Sequence, residues 1–143
     1  MASPRVVSVT RTARVVLAAA VVGLGCSFAV TDDDEPLTAH WRSIDASPAD
    51  HGLDVILSEH EDGRLTGSGS VRLAAASYAF ALDSGLATSS QVRFRLTDGG
   101  APFGRFDGMI VNRAEIVGRT TLDVLPDGRP YHDGFAVRLA RVP

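Results

Sequence analysis

From residue 37 onward the chain alternates. Val92, Phe94 and Leu96 are interleaved with Arg93 and Arg95, and Phe135, Val137 and Leu139 with Ala136, Arg138 and Ala140. Successive side chains of an extended strand point to opposite faces, so each of these segments reads as a strand with one dry side and one wet side. No apolar stripe at i, i+3, i+4 runs through this part of the chain, which leaves no amphipathic helix to build a core. Eight strands are predicted, at residues 37–45, 53–61, 64–73, 77–83, 91–97, 103–111, 114–125 and 134–142. Asp62-Gly63 and Asp98-Gly99 mark tight turns, because glycine accepts the positive φ such turns need, and Asn112-Arg113 closes another.

An all-β fold follows. Consecutive hairpins give an up-and-down order, and eight antiparallel strands can bury their apolar faces and remove their open edges by closing on themselves. An eight-stranded antiparallel up-and-down β-barrel is therefore the expected architecture, with a two-sheet sandwich as the alternative. Gly67, Gly69, Gly108 and Gly118 fall inside predicted strands, where they relieve crowding as a coiled sheet bends, and this favours the barrel. In such a barrel the start of the first strand and the end of the last lie side by side. Counting by two from Phe135 puts Arg141 on the apolar side at that end, where the indole of Trp41 offers it a stacking partner and nearby carbonyls offer hydrogen bonds.

Eight strands and this Trp41 and Arg141 pair resemble the calycins, the lipocalins and relatives such as the avidin-like barrels. Where lipocalins carry a glycine two residues before the tryptophan this chain has Ala39, so the resemblance is to the broad calycin class. It implies a binding barrel with a structural cap at Trp41 and Arg141 and a mouth at the opposite end. It implies no particular ligand.

The N-terminus carries an export signal. Residues 1–14 hold Arg5, Arg11 and Arg14 and no acid, and the apolar run at residues 15–25 suits a signal core while being too short to span a bilayer, which takes about 20 residues. Val22-Gly23-Leu24-Gly25-Cys26 resembles a bacterial lipobox, which implies lipid attachment at Cys26 and a protein anchored to a membrane outside the cytoplasm. Ser27-Phe28-Ala29 offers a competing cleavage site that would give a soluble secreted form. One cysteine permits no intrachain disulfide. The expected organisation is a lipoprotein-type signal peptide at 1–25, an acidic tether at 26–36 built around Thr31-Asp32-Asp33-Asp34-Glu35-Pro36, and a barrel domain at 37–143. Residues 26–143 hold eleven arginines against seventeen acids, a net charge of −6, which argues against nucleic acid and against electrostatic docking on anionic lipid.

Tyr78, Phe80, Phe94, Phe106 and Phe135 are the candidates to line the barrel interior, which at eight strands is just wide enough to fill with side chains or hold one small ligand. The links at 46–52, 98–102 and 126–133 are longer and contain proline, and they gather at the end opposite Trp41, so Tyr131 and His132 are the candidate rim residues.

Catalytic patterns are weak. His40, His51, His60 and His132 are scattered, and no second cysteine completes a zinc site. Ser68 and Ser70 lie in a glycine-rich strand that leads into no helix, unlike a nucleophile elbow. The expectation is a non-catalytic protein without metal or cofactor. It binds a small apolar or amphipathic ligand at or in the barrel, or, if the core is filled, serves as an envelope protein-interaction or inhibitor module.

Overall fold

The structure, a computed structural model, describes residues 35–143. The predicted signal segment, Cys26 and the tether as far as residue 34 lie outside the described residues. The eight strands are β1 (Ala39–Ser47), β2 (Gly52–Glu59), β3 (Arg64–Leu73), β4 (Ala76–Ala87), β5 (Gln91–Asp98), β6 (Ala101–Asn112), β7 (Glu115–Val124) and β8 (Pro130–Arg141). They form a closed barrel in sequence order, every pair antiparallel, with β1 completing the ring against β8. The fold is the expected all-β, up-and-down one, and the sandwich alternative falls because no sheet edge remains open.

Two strand boundaries moved for a common reason. β8 begins at Pro130, so Tyr131, His132 and Asp133 belong to a strand, and the link before it shrinks to residues 125–129. Pro102 likewise sits inside β6, paired with Thr97 across a register shift, and the predicted loop at 98–102 becomes a two-residue turn at Gly99 and Gly100, both with positive φ. Proline donates no ladder hydrogen bond but is accepted at a strand start or a bulge, and those are the positions taken here. β4 also runs on to Ala87 through a bulge between Asp83 and Leu86, where residues 84–90 read as a link.

The inward positions of the strands make one core. Trp41, Val55, Phe106, Thr120, Ile116 and Leu96 are fully buried, and Phe94, Phe135, Leu53, Leu57 and Leu139 nearly so. Both ends are shut. Leu37, ahead of β1, is fully buried at the Trp41 end, while Leu73 at the end of β3 and Leu125 after β7 are buried at the other.

Candidate functional site

Three places were singled out by sequence: the cap, the interior and the far rim. At the cap, Trp41 and Arg141 are directly paired across β1 and β8, and the guanidinium carbon of Arg141 lies 5.3 Å from the centre of the Trp41 ring. The Trp41 Nε1 donates to the carbonyl of Leu37 at 2.9 Å. Arg141 also pairs with the Glu35 carboxylate and donates to the carbonyl of Pro36 at 2.7 Å. Glu35 and Pro36, assigned to the tether by sequence, therefore belong to the cap. The Leu37 amide adds a bond to Glu59 Oε2 at 2.6 Å, so the segment entering β1 is folded across the barrel end.

In the interior, Phe80, Phe94 and Phe106 form a stacked row, with ring centroids 6.3 and 5.1 Å apart and planes inclined by 20° and 27°. Both are offset-stack geometries that add to the area the rings bury. The strand glycines complete the packing. Gly108 and Gly118 are register partners on β6 and β7, and a Cβ on either would come within 2.7 Å of the Phe106 ring. The space at Gly69, Gly108 and Gly118 is thus occupied by an aromatic ring, Phe80 for the first and Phe106 for the other two, whereas Gly67 lies against the Ile56 carbonyl. Four of the five predicted interior residues, Phe80, Phe94, Phe106 and Phe135, are buried against the core, and the fifth, Tyr78, is only partly buried and sits toward the rim. Four concavities of the described surface, about 230 to 450 Å³ each, lie on the outer wall between charged side chains.

At the far rim Tyr131 is joined by a residue that sequence reasoning left as a scattered histidine. His51 approaches the Tyr131 hydroxyl at 3.4 Å through Nε2 and Asp50 Oδ1 at 2.7 Å through Nδ1, and its ring packs edge-on against Phe135 at 5.2 Å between centres. Burial, reinforced by the carboxylates of Asp133 and Asp50 and by Tyr78, pushes the Tyr131 hydroxyl above its ordinary pKa. The shift favours the neutral, hydrogen-bonding form of the hydroxyl. Arg129, held by Asp127, reaches the Tyr78 hydroxyl at 3.4 Å. His132 is exposed, with a φ of 49°, and none of these bonds involves it. The signal for His51 was its place beside an acid in the link between two strands, which becomes informative only once β8 is known to extend through Tyr131.

The remaining histidines have separate local partners: His40 meets Asp54 at 2.6 Å and His60 meets Thr66 at 3.0 Å. No group of three metal-ligating side chains occurs among the described residues. The carboxylates of Asp107 and Glu115 form no acid-base pair; each meets its own arginine, Arg105 at 3.4 Å and Arg138 at 3.5 Å.

The class defined by these features is a closed eight-stranded antiparallel barrel with a tryptophan-arginine cap, compatible with a calycin-like fold. No family model matches the chain, and neither a curated protein nor a solved structure matches it.

Proposed function

We propose that this chain is an exported, lipid-anchored, non-catalytic barrel of calycin-like type that acts through its outer surface as a protein-interaction module of the cell envelope, its interior being solid core. The row of stacked rings seated on glycines carries the reading. A barrel that held a ligand among Phe80, Phe94 and Phe106 would have those rings face a void, and here they face each other. Outward, Ile44, Ile56, Met109, Val111 and Val117 expose apolar surface, with Met109 and Val117 paired across β6 and β7. Because Glu35 is fixed at the cap, a lipid on Cys26 would turn the capped end toward the membrane and leave the side wall and far rim for partners.

A photo-crosslinking amino acid placed at Ile44, Ile56, Met109 or Val117 in the living cell tests the reading. Discrete protein adducts from at least one of these positions are expected. The absence of adducts from all four, with a small molecule extracted in stoichiometric amount from the purified protein, would contradict it. One observation favours a second reading, binding of a small amphipathic molecule at the far mouth: Tyr78, Tyr131, His51 and Arg129 bring polar groups together above the rings. That reading requires that Tyr131→Ala abolish uptake of the extracted molecule.

A further inference from the structure

On the outer wall, Arg95 of β5 and Arg105 of β6 stand directly opposite each other, and Arg93 lies two residues along β5 on the same face. Like charges in opposed cross-strand positions destabilise a sheet. The neighbouring acids do not remove the conflict. Asp107, the register partner of Arg93, meets Arg105 through Nε at 3.4 Å, which leaves the terminal nitrogens of that guanidinium uncommitted to it. Asp83 is opposite Arg95 across β4 and β5 yet forms no ion pair with it, and neither Arg93 nor Arg95 has a partner among the described residues.

The three arginines line a single concavity of about 240 Å³ on the outer wall, together with Ser84, Asp107 and the strand positions of Phe94 and Phe106. Ser84 arrives there through an irregularity. The β4–β5 register shifts between Asp83 and Leu86, and Ser84 holds a φ of 50°, a left-handed conformation that is costly for a residue other than glycine. Bulges of this kind re-aim side chains and gather beside binding sites. The charge along the chain is segregated in the same sense: residues 35–90 hold three arginines and eight acids, residues 91–143 eight arginines and six acids.

We propose that Arg93, Arg95, Arg105 and Ser84 form a binding site for a tetrahedral oxyanion of the phosphate class. Planar guanidinium forks and a hydroxyl are matched donors for phosphate oxygens, and a bound dianion would convert the opposition of Arg95 and Arg105 into a shared attraction. The inference goes beyond the proposed function, since the site stands whether the barrel's partner is a protein or not. The phosphate could be carried by a free solute or by a lipid headgroup.

Inorganic pyrophosphate, titrated into the full chain against sodium chloride at matched ionic strength, separates binding from screening. Saturable stabilisation of the wild-type chain is expected, with the apparent affinity reduced about tenfold or more in Arg95→Gln and in Arg105→Gln. Without anion, each variant should melt at or above the wild-type temperature, because an opposition of like charges has been relieved. Vesicles of phosphatidylcholine with and without phosphatidylglycerol identify the source. A wild-type preference for the anionic vesicles that the double variant loses assigns a lipid headgroup, and equal binding by the two chains assigns a free phosphate. A wild-type response to pyrophosphate no greater than to chloride would overturn the site. So would variants that melt well below wild type without anion, since the arginines would then be structural.

Discussion

At the scale of single residues, Arg141 does two things at once: it stacks on Trp41 and it holds Glu35 and the Pro36 carbonyl over the barrel end. Arg141→Ala loses that packing and leaves a carbonyl and a carboxylate unpartnered, so the domain should be destabilised by about 1 to 3 kcal/mol, read as a lowered denaturant midpoint. An unchanged midpoint would make the arginine a mere surface charge. Asp54 governs part of the acid response. Burial raises its pKa, but the hydrogen bonds and charges of Arg42 and His40 outweigh burial and hold it below the ordinary 3.8. A carboxyl depressed in the folded state contributes stability that is full above the unfolded pKa and is lost as the pH falls through the folded one. Stability should therefore decline with acid below about pH 4, and Asp54→Asn should flatten that part of the curve. The cap pair was legible in sequence because period two is strict enough to fix facing by counting from Phe135 to Arg141. The contact of His51 with Tyr131 was not, since it joins residues 80 positions apart and depends on where β8 begins.

Elements show where alternation stops being informative. The eight strands were readable from period two and turn glycines, but the bulge that carries Ser84 and the strand start at Pro130 were not, because both depend on how a neighbour pairs. The strand glycines were read as bends that leave room, and at Gly69, Gly108 and Gly118 a neighbouring ring makes use of that room. Gly118→Ala would place a methyl 2.5 Å from the Asp107 carbonyl oxygen and 2.7 Å from both Gly108 Cα and the Phe106 ring, in a wall that is closed on both sides. A loss of about 1 to 3 kcal/mol is expected from such overpacking. Combining it with Phe106→Leu should cost less than the sum of the two single changes, because the ring's share of the clash is relieved while the backbone's share remains. Strict additivity in that cycle would contradict the seating of the ring on the glycine.

For the whole molecule, the overall net charge concealed its distribution. A chain of net charge −6 after the signal reads as uniformly acidic, yet its arginines are concentrated in the second half of the barrel, and the register of the β5–β6 hairpin brings Arg93, Arg95 and Arg105 around one concavity. The anchor is tested by intact mass of the envelope fraction: a mature chain beginning at Cys26 and carrying lipid is expected, and a soluble, unmodified chain beginning at Val30 would leave export without anchorage. The central claim is that the barrel is solid and works from outside. It is tested most directly by comparing the mass of the protein taken from the envelope under native and denaturing conditions, with phosphate removed. The same mass is expected in both, since a lipid on Cys26 is covalent and survives unfolding. A stoichiometric organic molecule that is released on unfolding, and that Phe94→Trp prevents from binding, would show that the interior holds a ligand and would contradict it.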